Sequence, residues 1–308
     1  MKIVVTGGAG FIGSHLADRC LGEGHEVVII DDLSTGFRRN VNPDANFVEM
    51  DIRDRERVFG VFGREQPQAV FHLAAQMDVR RAVEDPVFDA ECNVFGSLNL
   101  MMAAAEARVR KFVFAATGGA MYGETDVIPT PEEQMVRPVT PYGVSKRTAE
   151  LYLHCFHVNE GLRYVSLRYG NVYGPRQNPK GEAGVVAIFA GLMLDGKQPT
   201  VFGDGTSTRD YVFVDDVVDA NVAALNGGDA EIYNVGTGRE TRLQEIFDAA
   251  KDATGYAGEA RHAPERKGEL HRSGLDISKA REQLGWSPKT GLAEGIAATV
   301  AYWRDTRP

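Results

Sequence analysis

Residues 2–13, Lys2-Ile3-Val4-Val5-Thr6-Gly7-Gly8-Ala9-Gly10-Phe11-Ile12-Gly13, decide the fold. A short run rich in β-branched residues reads as a buried strand, a glycine-rich turn follows, and from Phe11 onward the apolar residues recur with a helical period. Gly7, Gly10 and Gly13 stand where a backbone must turn tightly, come close to an anion and let a helix pack on a strand. The first N–H groups of such a helix face the anion. An ordinary tight turn would also use glycines, so the reading depends on the strand before and the helix after, and both are present.

Working outward, further strand-like runs recur at Glu26 to Asp31, Asn46 to Met50, Ala69 to Leu73, Lys111 to Ala116 and Tyr164 to Arg168. Segments of longer period separate them: Phe11 to Leu21, Arg55 to Arg64, Pro86 to Ala107 and Pro141 to Asn159. Strand and helix in alternation imply βαβ units, and so an α/β fold with a doubly wound, parallel Rossmann-type sheet. Past about Tyr173 the rhythm breaks in a stretch rich in Gly, Pro and polar residues. The expected division is a dinucleotide-binding domain over 1–172 and a smaller α/β substrate-binding domain over 173–308. Segments near 210–235 are expected to return to the first sheet, with Asp215 and Asp216 where a strand meets a helix.

The second strand ends in Asp31-Asp32, where an acidic side chain accepts hydrogen bonds from an adenosine ribose. A carboxylate there repels a 2′-phosphate, which favours NAD over NADP. Asp51-Ile52 and Leu73-Ala74-Ala75 close the third and fourth strands, at the edge where an open sheet binds its ligand; strand-end capping alone would also explain them.

The 308 residues are 43% hydrophobic and 25% charged, a globular composition, and the formal charge of −9 argues against a nucleic-acid partner. Met1 runs directly into the first strand, and no apolar run approaches membrane-spanning length, so a cytoplasmic protein with no membrane role is expected. Cys20, Cys92 and Cys155 are odd in number and widely spaced, which reads as buried reduced thiols. His154 and His157 share a helix without an evident third ligand, so no metal is expected.

Tyr142 and Lys146 lie four apart at the start of a helix opened by Thr140-Pro141, and so share one face. Such pairs are commonly surface neighbours; beside a dinucleotide site they become an acid/base pair. A free tyrosine has a pKa of about 10, so roughly one in a thousand is phenolate at neutral pH, and nearby positive charge raises that fraction at about 1.4 kcal/mol per unit. Thr117, at the end of the strand Lys111 to Ala116, offers a hydroxyl to the same substrate oxygen.

With these residues in place the chain resembles the extended short-chain dehydrogenase/reductase superfamily, in particular its UDP-glucose 4-epimerase-like enzymes. The resemblance spans nearly the whole chain and rests on Gly7 to Gly13, Asp31, Asp51-Ile52, His72 to Ala75, Asn93, Thr117 to Gly123, Tyr142 to Lys146, Arg168 to Arg176, Phe202 to Gly205, Arg209-Asp210-Tyr211 and Asp276 to Trp286. It implies that Tyr142 is the acid/base, that Lys146 lowers its pKa and holds the nicotinamide ribose, and that Thr117 is the hydroxyl partner. It places a nucleotide diphosphate on Asn171, Arg209 and Arg266, with Glu269 on the nucleotide ribose. The chain departs from one common pattern, since Thr117-Gly118-Gly119 replaces a serine-rich stretch and one residue is added before Tyr122-Gly123.

The implied reaction is NAD-dependent 4-epimerisation of a UDP-hexose, UDP-galactose or UDP-glucose, through a transient 4-keto sugar. Rival readings are an epimerase of another nucleotide sugar such as UDP-glucuronate, a nucleotide-sugar 4,6-dehydratase, and a non-catalytic dinucleotide sensor. Dehydratases carry an Asp-Glu pair after the threonine, whereas Gly118 and Gly119 transfer no protons. A sensor has no use for Tyr142, Lys146 and the arginines. Ser273 stands where enzymes restricted to plain hexoses tend to carry a bulky aromatic, so N-acetylated UDP-hexoses are expected to fit. The apolar faces of Pro86 to Ala107 and Pro141 to Asn159, including Met101, Met102, Leu151, Leu153 and Phe156, match the homodimer that the resemblance implies.

Overall fold

Runs such as Ile3-Val4-Val5 and Val27-Val28-Ile29-Ile30 are apolar on both faces, the pattern of strands covered from both sides. The computed structural model describes residues 1–179, 184–264 and 270–306. In it strands β1 (Lys2–Thr6), β2 (Glu26–Asp31), β3 (Asn46–Glu49), β4 (Ala69–His72), β5 (Lys111–Thr117) and β6 (Tyr164–Tyr169) alternate with helices. Short strands β7 (Asn171–Tyr173), β8 (Thr200–Phe202), β9 (Thr208–Arg209) and β10 (Tyr211–Phe213) follow, then β11 (Glu231–Val235), β12 (Thr241–Arg242) and β13 (Arg261–Ala263).

The central sheet has seven strands in the order β11-β6-β5-β4-β1-β2-β3, and every pairing in it is parallel. The order reverses at β1, flanked by β2 and β4, which opens a crevice at the carboxyl ends of these strands. Strand β11 extends the far edge beside β6, with Glu231 opposite Val165 and Val235 opposite Tyr169. The helix Val214–Asn226 that precedes it opens with Val214 directly after β10, with Asp215 and Asp216 in its first turn.

Alternation along the strands sends side chains to opposite faces. Ile3 and Val5 join Leu16 of the helix Phe11–Gly22 and Val217 of the helix Val214–Asn226, while Val4 and Val28 join Phe62, Leu100 and Leu153 on the other side. A third cluster, with Tyr173, Phe189, Phe213, Phe247 and Ile296, lies beneath the short strands. The helix expected over Pro86 to Ala107 is a helix Pro86–Ala90, one π-helical turn Glu91–Phe95 and a helix Gly96–Glu106. The wider turn accompanies the inward placement of Asn93, whose side chain bonds to Gln76 on a neighbouring loop.

The helix Pro141–Glu160 is tied to the sheet by a buried ion pair. Glu150 accepts from Arg168 of β6, Nε to Oε1 at 3.0 Å and Nη2 to Oε2 at 2.8 Å, and Ser166 Oγ donates to Oε1 at 2.8 Å. Arg168 Nη1 donates onward to the Tyr122 hydroxyl, which donates to Asn234 Oδ1 of β11. Such a pair is costly to break from one side, because the remaining charge is left dry. The cysteines divide differently from expectation: Cys20 is buried, Cys92 half-buried and Cys155 exposed. Cys155 lies on the same helix as the exposed Leu151 and Val158.

Candidate functional site

The glycine turn follows β1 as expected. Gly7 has φ 72°, in the left-handed region, and a Cβ there would lie 2.7 Å from the Ala74 nitrogen; one at Gly13 would lie 2.2 Å from the Gly7 oxygen. At Gly10 a Cβ would meet only the Gly7 oxygen, at 3.1 Å, so the turn is closed against β4 and open at its tip. No side chain caps the helix Phe11–Gly22, and its first turn carries no acid. The N–H groups at its start, toward Phe11, Ile12 and Gly13, therefore remain for an anion.

Asp31, and not Asp32, is the carboxylate that contacts this turn. Its Oδ2 accepts from the Ala9 N–H at 3.0 Å and its Oδ1 from the Leu33 N–H at 2.9 Å. Burial raises its pKa in spite of those two donors. Asp32 is exposed and accepts from the Ser34 N–H and hydroxyl. Asp51 is held by Arg53, whose Nε and Nη2 lie 2.9 and 2.6 Å from Oδ2; burial pulls its pKa up, but Arg53 leaves it below the usual range. Asp51, Arg53, Asp54, Glu91 and Phe95 line an open pocket of about 580 Å³. The Ile52 carbonyl accepts from Asn99 Nδ2, and Leu73, Ala74 and Ala75 lie half-buried beyond β4. Backbone donors at an uncapped helix start with one carboxylate beside them form a donor set that fits a diphosphate-linked dinucleotide.

A chain of hydrogen bonds leads from this turn toward the Tyr142 helix. The Ala74 N–H donates to Thr6 Oγ1, which bonds His72 Nδ1 at 2.8 Å; His72 Nε2 bonds Ser97 Oγ at 2.9 Å, and Ser97 donates to the Asn93 carbonyl. With Ser97 donating onward, His72 carries its proton on Nε2. Burial first, then the Lys146 charge, holds its pKa far below the ordinary value, so it is a neutral linker. Asn93 exchanges hydrogen bonds with the Gln76 backbone, and both side-chain amides donate to Asp89 Oδ1, at 2.9 Å from Asn93 and 3.0 Å from Gln76. Ser145 Oγ donates to Asp89 Oδ2 at 2.6 Å. Neither Asp89 nor Ser145 stands out in the sequence; the one local hint is that Asp89 precedes Asn93 by a helical turn.

Tyr142 sits in the first turn of the helix Pro141–Glu160, where Thr140 accepts from the Gly143 N–H. Gly143 packs on the short helix Gly118–Met121 so closely that a Cβ would lie 2.5 Å from the Ala120 oxygen. That contact brings the Thr117 turn against the Tyr142 turn. Thr117 Oγ1 accepts from the Ala120 N–H at 3.3 Å, which leaves its own O–H to donate elsewhere. Lys146 is 3% exposed; its Nζ donates to the Ala115 carbonyl at 3.0 Å and lies 4.8 Å from the Phe114 ring centroid and 5.9 Å from that of Tyr142.

Burial dominates the electrostatics of the pair. Burial pushes the Tyr142 phenol above its ordinary range and the Asp89 carboxylate adds to this. Burial also lowers Lys146, to about 8, against the opposing pull of Asp89.

On the sugar side, a Cβ at Gly118 would lie 2.7 Å from both Leu275 methyl carbons, so the Leu275 side chain would have to shift, whereas one at Gly119 would meet only Asn171 Oδ1 at 3.8 Å. Asn171 is exposed, Arg209 is half-buried with Nη1 donating to the Thr208 carbonyl, and Ser273 is half-buried. Asp210 gathers these segments: its carboxylate accepts from the Thr237 N–H and hydroxyl, the Gly238 N–H and the Leu275 N–H. Arg266 and Glu269 lie outside the described residues. Among the described residues no group of three or more His, Cys, Asp or Glu is arranged for a metal, and no helix is long and apolar enough to cross a membrane.

Residues 3–236 match the profile of the NAD dependent epimerase/dehydratase family. UDP-glucose 4-epimerase of Mycolicibacterium smegmatis is 48% identical over 311 residues, covering 99% of each chain. The crystal structure of a UDP-glucose 4-epimerase with UDP-glucose from Thermotoga maritima superposes with a TM-score of 0.98 at 49% identity, over 99% of both chains. That of a UDP-glucose 4-epimerase in complex with NAD from Thermus thermophilus gives 0.95 at 47% identity over 100% of both.

Proposed function

The chain belongs to the NAD-dependent epimerase/dehydratase family, and from that premise we propose that it interconverts the C4 epimers of a UDP-hexose, UDP-galactose and UDP-glucose, through a transient 4-keto sugar. The observation that supports the reading is the Gly143–Ala120 contact, which packs the short helix after Thr117 on the first turn of the helix that carries Tyr142 and Lys146.

Gly7, Gly10 and Gly13 with the helix start at Phe11 and Ile12 would hold the NAD diphosphate, and Asp31 the adenosine ribose. Asp51, Ile52, Leu73, Ala74 and Ala75 line the remaining edge, and Lys146 would reach the nicotinamide ribose. Asp32 supports its own loop. NAD, when bound, supplies the two-electron acceptor and donor at sugar C4, and its positive ring adds the charge that Tyr142 lacks in the protein alone. Tyr142 takes the proton from the 4-hydroxyl and returns it to the same oxygen after the keto sugar has turned the opposite face of C4 to the hydride donor, while Thr117 donates a hydrogen bond to that oxygen. Asn171, Arg209, Arg266 and Glu269 would anchor the UDP part as the keto sugar turns, because charge-assisted bonds to a diphosphate survive the rotation.

Dehydration is disfavoured, since Gly118 and Gly119 carry no group that transfers a proton. Ser273 leaves room for N-acetylated hexoses. We assign the NAD-binding part to 1–172 together with the helix Val214–Asn226 and β11, and the rest to the sugar side. Exposed Val87, Phe95, Val144, Leu151 and Val158 on Pro86–Glu106 and Pro141–Glu160 support a homodimer, and a cytoplasmic location fits the acidic, NAD-using chain.

The test is to incubate the purified protein, without added cofactor, with UDP-galactose and with UDP-N-acetylgalactosamine and to identify the sugars by chromatography. The matching gluco sugars are expected. No conversion even after adding NAD would withdraw the substrate and turn the test to UDP-glucuronate.

A further inference from the structure

A carboxylate lies buried behind the Tyr142 helix, and among the described residues no charged donor bonds to it. Asp89 is 0% exposed, and its three partners are the Asn93 and Gln76 amides on Oδ1 and the Ser145 hydroxyl on Oδ2. Each partner belongs to a part of the site. Ser145 stands on the Tyr142 helix immediately before Lys146, Gln76 directly follows the Leu73-Ala74-Ala75 edge, and Asn93 lies in the π-helical turn. Across the same helix Lys146 is also dry, with one carbonyl and an aromatic face for partners.

We propose that Asp89 is a positioning residue for the Tyr142–Lys146 pair, which seats the first turn of their helix through Ser145 and supplies the buried negative charge that answers the Lys146 ammonium. The inference rests on the reading of Tyr142 and Lys146 as the reacting pair. A buried charge without a cation in contact is expensive unless it serves another charge nearby, and neutral donors fix its place without cancelling it. The other ionisable groups on facing elements have partners of their own or face solvent. His72 is neutral, Glu150 is taken up by Arg168 and Arg147, Asp78 caps the helix Val79–Glu84, and Arg80, Arg81, Glu84, Asp85 and Glu91 are exposed. In agreement, the Asp89 charge acts upward on the pKa of both Lys146 and Tyr142.

Asp89→Asn isolates the charge. The new Oδ1 keeps accepting from Asn93 and Gln76, and the new Nδ2 donates to Ser145, whose hydroxyl rotates to accept. With UDP-galactose as substrate, both limbs of the kcat–pH profile are expected to move to lower pH by about 0.5 to 1.5 units, with KM changed less than about threefold. Tyr142 then reaches phenolate at lower pH, and Lys146 loses its proton earlier. Limbs that stay in place in a folded Asp89→Asn protein overturn the charge role. Ser145→Ala keeps the charge and removes the seat, so kcat is expected to fall about tenfold with the limbs unmoved; an unchanged kcat overturns the seating role, and this variant carries the test if Asp89→Asn does not fold. Tyr142→Phe in the same series separates the two levels. If it still epimerises, the underlying reading fails; if it is inactive and the Asp89→Asn limbs do not move, only the role of Asp89 fails.

Discussion

Gly143 and Ala120 meet where no side chain fits: a Cβ on Gly143 would lie 2.5 Å from the Ala120 backbone oxygen and 2.9 Å from Pro138 Cβ. The two turns that carry Thr117 and Tyr142 are therefore spaced by bare backbone. Gly143→Ala must push the helix Pro141–Glu160 away from Gly118–Met121. The expected outcome is about 1–3 kcal/mol lost in stability and at least a tenfold fall in kcat, read by thermal unfolding and steady-state epimerisation. Equal kcat in the variant would mean that the spacing does not matter to the reaction.

Tyr142→Phe removes one oxygen and leaves the ring in place. Loss of the acid/base is expected to lower kcat by about 10²–10⁴ with KM for UDP-galactose within a few fold. A matching loss in KM alone would assign Tyr142 to binding.

Lys146 gives a pH dependence with a definite sign. Burial lowers its pKa in the folded protein to about 8, below an unfolded value of about 10.4. Between these values the unfolded chain binds more protons, so this group penalises folding in full below about pH 8, and the penalty fades as pH rises toward 10. Lys146→Met is thus expected to be inactive but more stable at pH 7 by about 1–3 kcal/mol, with the advantage shrinking by pH 10. Unfolding of NAD-free wild type and variant across that range measures it; an advantage independent of pH would point to packing instead.

Ser273→Tyr is expected to reduce kcat/KM for UDP-N-acetylgalactosamine at least tenfold while changing that for UDP-galactose less than threefold. Equal turnover of the N-acetylated substrate by both proteins would remove Ser273 as a determinant of sugar size.

The parts legible in the sequence are those where chemistry is local. Gly7 and Gly13 announce themselves because positive φ and close backbone approach exclude other residues. The parallel order follows from apolar runs separated by helical periods. Asp31 and Asp32 show the limit: both are acids at one strand end, and only the fold turns the first to the Ala9 N–H and the second to Ser34. Asp89 is less legible still, because Glu84-Asp85-Pro86-Val87-Phe88-Asp89 reads as a solvated helix start. One of the partners that receive it, Ser145, is 56 residues away. The direction of the Tyr142 shift could not be read either, since the charge of Lys146 is visible in the sequence and the dehydration around it is not.

Strand β11 closes the far edge of the sheet against β6 after the chain has left and come back. A chimaera that exchanges sugar-side halves between relatives therefore needs three junction points, one near residue 172 and one on each side of the segment from the helix Val214–Asn226 through β11. A single crossover after β6 would import a foreign edge strand with the foreign half, and with it Asn234, which anchors Tyr122 and, through Arg168, the reacting helix. Recombination that respects this interlock should move substrate preference and leave catalysis intact; recombination that ignores it should unsettle both.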